Sequence, residues 1–429
     1  MKNFRNRCQP PRLLLPLLML WQLLHSHALL AQQVPDAAEL PLEQVLRQME
    51  TNWPQLRQYD YQLQAAEARV AGARSWMAPT ANFGLSRMPY NPKMVDMPIM
   101  ENQSGLMIAV EQMLPNPAKQ RARERYLKAQ VQPIRQQRAW TLNELRAETR
   151  QLYYSRYLAE QMLKVLQKSE SVLSLLIESS EEKYPYNQAK LNNIYSARAR
   201  LEELRNQRLQ QQQMILESNI GLNTLMGRST GFAFAVDTLS IPVQSNPAAL
   251  VADTTTARSD IAALESTIQV MQANRELMRA ELKPDFGVRF EHMPMFNMEP
   301  MYSVMAMVTI PFAPWASKMN KAEVRAMELD IQAMQQEKQT MQLMQKRMVN
   351  EKQSLQQLER ERLQKYRTQV LPAYRKALDV NLLAYRQNTA SLFEVLEAWE
   401  MWQMKEMEYY QLLDKALNLE VDYARELER

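Results

Sequence analysis

The sequence is poor in the residues on which many enzymes and metal sites depend. It has one cysteine, Cys8, and three histidines among 429 residues. His25 and His27 lie with Cys8 near the start of the chain, so only His292 remains beyond that segment. This scarcity argues against cysteine–histidine zinc sites, cysteine nucleophiles and any serine–histidine–aspartate triad that does not use His292. We therefore expect no catalytic activity and no cofactor.

Glycine, long apolar runs and net charge are also limited. The chain contains only 7 glycines, and it tolerates long helices well because glycine is costly inside them. After the first 31 residues no stretch approaches 18 apolar residues, so no membrane-spanning helix is expected there. The formal net charge is +5, with four of the positive charges before residue 13. The remainder is only about +1, which does not suggest nucleic-acid binding.

Residues 1–31 are typical of a secretory signal peptide. A basic start precedes the apolar run "LLLPLLMLWQLL", and small residues follow it, with Ala31 the best cleavage position. The alternative is a membrane anchor, but the apolar run is short and is interrupted by Gln22. Cys8 precedes this run, whereas a lipid-attachment cysteine would have to follow it. We therefore do not expect a lipoprotein.

Helical patterns dominate the rest of the chain. Met327, Met334, Met341, Met348 and Leu355 are each seven residues apart, which indicates a coiled-coil seam. Helices of this kind reach on the order of 100 Å. Proline should kink two of them, at positions 133 and 372. The predicted helices are 42–49, 54–77, 118–183, 188–226, 258–281, 318–386 and 389–427.

Four short windows alternate between apolar and polar residues, as half-buried strands do. They span about 82–89, 104–114, 285–294 and 302–310. Each is roughly ten residues long and has one apolar face and one more polar face, as in transmembrane barrel strands. An ordinary half-buried hairpin would show the same pattern, so the strands alone leave both interpretations open.

The chain repeats its own plan. "YPYNQAKLNNIYSA" (184–197) aligns without a gap to "YRQNTASLFEVLEA" (385–398), at an offset of 201 residues. In each half a helix, two strands and a long helix lead to this bend, and a second long helix follows it. We therefore divide the chain into the signal peptide, a first repeat (32–227), a linker (228–257) and a second repeat (258–429).

In this order, the motifs resemble the TolC family of outer-membrane efflux ducts. "VEQMLPNPAKQRAR" is similar to the family's strand-to-helix junction, and "AYRQNTASLFEVLEA" is similar to its second periplasmic tip. The resemblance implies a mainly α fold with a small β part. In it, a long periplasmic α-helical barrel continues into a transmembrane β-barrel to which each of three chains contributes four strands. Trimerisation would also solve a physical problem, since open strand edges cannot lie in lipid.

The resemblance further implies a place and a role. The chain would lie in the outer membrane, contact its lipid and extend into the periplasm. It would passively conduct substrate received from a periplasmic adaptor (a membrane fusion protein) and an inner-membrane pump of the resistance-nodulation-division type. A multidrug or secretion duct of the same family is an alternative. A periplasmic coiled-coil adaptor or scaffold is another, although it has no need of strand pairs with exposed apolar rows.

The bends would form the inner tips of the tunnel, with contacts from Tyr184, Asn187, Tyr385 and Asn388. Asn388 stands where the family usually has glycine, and asparagine also tolerates a left-handed turn. The basic residue with which some members latch the tyrosine is absent, because Ala390 stands there. The closed state would then be held differently.

Only the second tip carries acidic residues at Glu394 and Glu397, where the first has Asn193 and Ser196. The two glutamates are three residues apart and therefore share one helical face. In the family, matching acids ring the tunnel entrance, and such a ring concentrates cations. The alternative is an ordinary solvated helix face.

Methionine is abundant, with 30 residues, and several lie in the polar loops between the paired strands. Thioethers and imidazole are soft ligands suited to Cu(I) and Ag(I), and the heavy-metal-cation branch of the family is similar in this respect. The alternative is that the two loops pack on each other. If the apolar strand rows face lipid, Met107, Met305 and Met307 would also face the lumen. The candidate loop ligands are Met94, Met97, Met100, His292, Met293, Met295 and Met298.

Overall fold

The structure is a computed structural model that describes residues 39–95, 104–237, 258–296 and 298–428. The predicted signal peptide lies outside these ranges. The helices are α1 (Leu42–Asn52), α2 (Pro54–Ala71), α3 (Pro117–Ala129), α4 (Val131–Lys183), α5 (Leu191–Leu225), α6 (Ser259–Glu281), α7 (Pro314–Lys365), α8 (Leu371–Arg386) and α9 (Leu392–Glu426). The strands are β1 (Glu39–Leu40), β2 (Thr80–Ser86), β3 (Gly105–Leu114), β4 (Ala235–Val236), β5 (Phe286–Met293) and β6 (Met301–Val308).

The longer strands form one antiparallel sheet in the order β2-β3-β5-β6. The first repeat supplies β2 and β3, and the second supplies β5 and β6. The repeats join where β3 pairs with β5, with Leu114 opposite Phe286. Within the described residues, β2 and β6 each have one unpaired edge. The mainly α fold class and the four strands are confirmed.

Two predicted boundaries are wrong in instructive ways. β2 ends at Ser86 rather than residue 89, because Arg87 takes a left-handed conformation with φ 51° and the strand cannot continue through it. α2 ends at Ala71 rather than residue 77, with Gly72 at its C-cap. Trp76 and Met77 lie in an irregular segment and are exposed. The predicted helix was extended to them because they are apolar.

The two prolines predicted to kink the long helices both lie beside an interruption. Pro133 has no N–H for the carbonyl of Ala129, and the helix predicted for 118–183 breaks between α3 and α4, at Gln130. Pro372 follows a π-helical segment, Tyr366–Val370, which separates α7 from α8. The long helices keep the predicted order of length, since the 53 residues of α4 span about 80 Å.

The two helical hairpins, α4–α5 and α8–α9, pack side by side toward their tips. A continuous core there is built from leucines and aromatic residues, including Leu166, Leu173, Leu204, Leu396 and Trp399. No described helix is both long and apolar enough to cross a bilayer.

The predicted methionine heptad lies on the packed side of α7, which contacts α6 and α9. Met327 is buried, and the other four heptad residues are partly buried. Ion pairs border this seam: Lys352 Nζ lies 2.5 Å from Asp422 Oδ2 in α9, and Lys338 pairs with Glu265 in α6.

β1 and β4 form a short parallel pair that was absent from the sequence predictions. The pair joins the segment before α1 to the segment after α5. Tyr153 is fully buried beneath it, donates to the carbonyl of Leu40 at 2.9 Å and accepts from the N–H of Asp237 at 2.9 Å. Burial raises the pKa of this tyrosine to about 12, so it stays a neutral donor. β4 lies inside the segment 228–257 that was predicted to be a linker. Residues 238–257 of that segment lie outside the described ranges.

Arg156 stabilises the segment that leads into β4 through hydrogen bonds and a cation–π contact. It is only 6% exposed, and its guanidinium donates to Asn219 Oδ1 at 2.8 Å and to the carbonyl of Phe234. The same group lies 4.1 Å from the centre of the Phe234 ring and pairs with Glu160. The cation is therefore both paired and hydrogen-bonded, as a buried charge must be.

Candidate functional site

One face of the sheet is a continuous exposed apolar surface. Strand register aligns Phe83, Ile108, His292 and Tyr302 in a single row across all four strands. The rings of Phe290 and Tyr302 stack with centroids 6.3 Å apart. An apolar face of this extent is unusual on a protein that meets only water. Its exposed members are Phe83, Leu85, Leu106, Ile108, Val110, Leu114, Phe286, Val288, Phe290, Tyr302, Val304 and Val308.

Large exposed aromatic side chains lie where this sheet meets the helices. Trp76 precedes β2 and is 64% exposed, while Trp315 begins α7 and is 85% exposed. Phe312 between β6 and α7 is also exposed. Such a girdle of aromatic side chains beside an apolar band is typical of transmembrane strands at the membrane–water interface.

The opposite face of the sheet is polar and contains methionines. Glu111 is opposite Arg289 in the register, and Arg289 forms an ion pair with Glu291 at 3.2 Å. Met305 is opposite Arg289 on the other side, in the same row. Because successive strand residues alternate between faces, the apolar row and this polar row stand on opposite sides of the sheet.

The two hairpin tips share their turn geometry. Asn187 and Asn388 are both left-handed, with φ 59° and 58°. Each follows a helix and donates its backbone N–H to the carbonyl of a tip tyrosine, Tyr184 at 3.0 Å and Tyr385 at 3.1 Å. The same bend is therefore built twice. Asparagine supplies the left-handed residue in both copies, at the position where glycine would be least strained.

Beyond the shared turn, the two tip tyrosines differ in environment. Tyr184 is exposed, whereas Tyr385 is only 7% exposed. The Tyr385 hydroxyl lies 3.0 Å from Ser180 Oγ, and Lys183 Nζ lies 4.2 Å from the centre of its ring. Lys183 also donates to Asn388 Oδ1 at 3.1 Å. We call this group, formed by Ser180, Lys183, Tyr385 and Asn388, the tip clasp.

The tip clasp joins the two hairpins of one chain. Ser180 and Lys183 lie in the last turn of α4, whereas Tyr385 lies in the last turn of α8 and Asn388 in the turn that follows it. Sequence reasoning missed Ser180 and Lys183, because residues 205 positions apart carry no local signal of contact. Position 390 holds alanine and provides no positive charge beside Tyr385. Lys183, from the first repeat, provides one instead.

Glu394 and Glu397 are both exposed near the start of α9, on one side of it. Glu394 also takes part in capping the helix: Ser391 Oγ donates to its carboxylate at 3.0 Å and accepts from its N–H at 3.4 Å. Within the described residues Glu397 has no ion pair or hydrogen bond. Its negative charge is therefore not compensated by a neighbouring described residue and is exposed to solvent.

The described members of the predicted metal-ligand set lie on different parts of the sheet and its loops. His292 lies in the apolar row, whereas its neighbour Met293 is on the polar face opposite Met301. Met295 bridges to Gly105 through the backbone, so the second loop runs alongside the start of β3. Met94 and Met298 are exposed, and Met97 and Met100 lie outside the described residues. Among the described residues no group of three or more His, Cys, Asp or Glu side chains could hold a metal ion.

The fold has known relatives among solved structures. The outer-membrane channel OprN is 17% identical and superposes with a TM-score of 0.74, covering 90% of this chain and 89% of that one. CusC, solved in a study of folding and transmembrane channel formation, is 16% identical with a TM-score of 0.75, covering 91% and 92%. VceC from Vibrio cholerae is 14% identical with a TM-score of 0.70, covering 90% and 95%.

The chain has the fold of the TolC-like outer-membrane channels. No protein-family model matches its sequence. No curated protein sequence matches it either. In this TolC-like fold the sheet and the tips stand at opposite ends of the long helices, so the apolar face and the tip clasp are far apart. The resemblance predicted from the sequence motifs is confirmed at the level of the fold.

Proposed function

We propose that the chain is the outer-membrane channel of a tripartite efflux system, acting as a homotrimer. It passively conducts substrate delivered by an inner-membrane pump, of the resistance-nodulation-division type, through a periplasmic adaptor. The observation that carries the proposal is the exposed apolar face of a four-stranded sheet whose outer strands, β2 and β6, each have an unpaired edge. A single such sheet is unstable in lipid, since its edge N–H and C=O groups would be unsatisfied.

Pairing β6 of one chain with β2 of the next removes both edges and closes a barrel. The apolar face then turns toward lipid and the polar face toward a water-filled interior. A soluble periplasmic adaptor or scaffold would share the long hairpins. It would gain nothing from exposing Phe83, Phe290 and Val304 on one continuous face.

The hairpins also offer a surface for the adaptor. A groove of about 750 Å³ lies between α5 and α9, above α4. Its lining is rich in glutamine, including Gln207, Gln210, Gln211, Gln403 and Gln411. The lining also contains apolar residues such as Leu204 and Trp399, and a groove of mixed polarity suits another helical hairpin that docks reversibly, because such interfaces are less apolar than permanent ones.

Cross-linking tests the trimer directly. The chain has no cysteine after Cys8, so Ala81→Cys in β2 and Ala306→Cys in β6 introduce the only thiols of the mature protein. With a short bis-maleimide linker, the double variant should give covalent dimers and trimers in detergent. Each single variant should stay monomeric on a denaturing gel, because β2 of one chain is adjacent to β6 of the next and not to another copy of β2. A water-soluble monomer that is never cross-linked would contradict the proposal.

For cargo, we propose soft monovalent metal cations such as Cu(I) and Ag(I) rather than general drugs. The support is the number of thioethers on the polar face and in the strand loops, since these ligands favour soft ions. Removing the gene should increase sensitivity to copper or silver more than sensitivity to dyes and detergents. The opposite pattern would leave a multidrug or secretion duct.

A further inference from the structure

The polar face of the sheet contains one place where two methionines from different repeats meet. Strand register puts Met113 of β3 and Met307 of β6 on either side of Gly287 in β5. All three residues are on the polar face. The two thioethers thus stand in one cross-strand row, with nothing larger than hydrogen between them.

Gly287 leaves room for both side chains. A Cβ at this position would lie 2.5 Å from Met113 Sδ and 3.0 Å from Met307 Cε. Both methionine side chains therefore reach within 3.0 Å of the same point. A Cβ at this position would have to displace the ends of both methionine side chains, so the glycine favours their convergence.

The first repeat provides a natural comparison. Gly84 in β2 is opposite Met107 of β3, as Gly287 is opposite Met307. A Cβ at Gly84 would meet Met107 Cε at 3.8 Å, an ordinary contact, and no second methionine approaches it among the described residues. The repeated Phe-Gly sequence thus has one methionine in the first copy and a pair in the second.

The surrounding charges are mixed. Arg289, two residues from Gly287 on the same face, would repel a cation, but it is paired with Glu291 at 3.2 Å. Glu111 is opposite Arg289 in the register and adds a second carboxylate. The three charged groups together carry one net negative charge, which does not oppose a monovalent cation.

We propose that Met113 and Met307, converging over Gly287, form a binding site for a soft monovalent cation, Cu(I) or Ag(I), on the polar face of the sheet. This site rests on the proposed function only in that the polar face lines the water-filled interior. Two thioethers bind such ions through sulfur without requiring a charged ligand. A pair of weak neutral ligands also lets the ion leave, as conduction requires.

Silver ion alone, in chloride-free buffer, is the probe. The detergent-purified full-length protein is dialysed against Ag⁺, and bound silver is counted per chain for the wild type, Met113→Leu, Met307→Leu and the double variant. Leucine fills nearly the same volume and removes the sulfur, so packing is preserved. The double variant should lose one bound ion per chain or bind it more weakly by at least the roughly 10–100-fold that loss of a mere outer-shell partner costs a metal site.

Met107→Leu is the matched control and should bind silver as the wild type does. X-ray absorption at the silver edge should show sulfur neighbours that disappear in the double variant. Unchanged silver binding by the double variant, or an equal loss in the control, would overturn the site.

Potassium conductance of the same preparations in planar bilayers separates the two proposals. Conducting trimers with unchanged silver binding in the double variant would disprove the site and leave the channel. Silver binding lost in the double variant of a protein that neither conducts nor trimerises would support the site and disprove the channel.

Discussion

The tip clasp gives a quantitative prediction about channel opening. Lys183 contacts the Tyr385 ring and the Asn388 side chain, and both belong to the other hairpin. Replacing Lys183 with methionine keeps most of the aliphatic chain and removes the charge. The variant therefore tests the cation itself rather than the packing around it.

The size of the effect follows from two contacts. A partly exposed cation–π contact contributes about 0.5–1 kcal/mol, and one hydrogen bond to an exposed amide adds about 1 kcal/mol. If both exist only in the closed tip, Lys183→Met weakens closure by about 1–2 kcal/mol per chain. Since 1.4 kcal/mol corresponds to about a tenfold change, each chain's closed–open equilibrium should shift by roughly 5- to 30-fold.

Single-channel recording in planar bilayers measures this shift as longer and more frequent openings. Tyr385→Phe should act in the same direction by a smaller amount, because it removes only the 3.0 Å contact with Ser180. Lys190→Met is the control, since Lys190 is a tip lysine for which the described structure shows no side-chain partner. Equal opening in the control, or no change in Lys183→Met, would refute the clasp as a determinant of closure.

Two further predictions concern acidic residues of α9. Replacing Glu394 and Glu397 together with glutamine should lower cation over anion selectivity in bilayers and leave trimers intact; unchanged selectivity would make them ordinary surface charge. Burial raises the pKa of Glu406, against the attraction of Lys168 and Arg375. The Glu406 carboxyl therefore stays protonated to a higher pH in the native state than in the unfolded chain. The free energy of unfolding should fall as pH rises from the ordinary carboxyl pKa to the raised one. Glu406→Gln should flatten this fall in urea unfolding series, and an equally steep fall in the variant would show that other groups cause it.

Features set by local sequence were predictable. The alternation of apolar and polar residues predicted all four long strands, because few structures other than a strand produce this alternation over ten residues. Pro133 and Pro372 correctly indicated the helix interruptions, because a missing N–H acts within one turn. Asn388 was correctly expected to tolerate the left-handed turn, for a reason that depends only on its own backbone.

Features that depend on distant parts of the chain were not predictable in this way. The pairing of β1 with β4 joins two-residue segments nearly two hundred positions apart, and two residues are too few to show alternation. Arg156 sits in an unremarkable helical stretch, and only the fold brings Phe234 and Asn219 to it. The metal site predicted for the loops stays a prediction, but one local feature could have been read from the sequence. His292 and Met293 are adjacent in a strand, which places them on opposite faces.

Duplication explains why the tips agree in shape and differ in chemistry. The turn needs one left-handed residue, and that requirement is the same in Asn187 and Asn388 whatever surrounds them. The clasp needs a donor on one hairpin and an acceptor on the other, and the donor Lys183 is matched by Ala384 in the second copy. Lys183 in the first copy and Tyr385 in the second meet that need. Because Lys183 lies in the first copy and Glu394 and Glu397 lie in the second, the two predictions above, on closure and on charge selection, can be tested by separate substitutions.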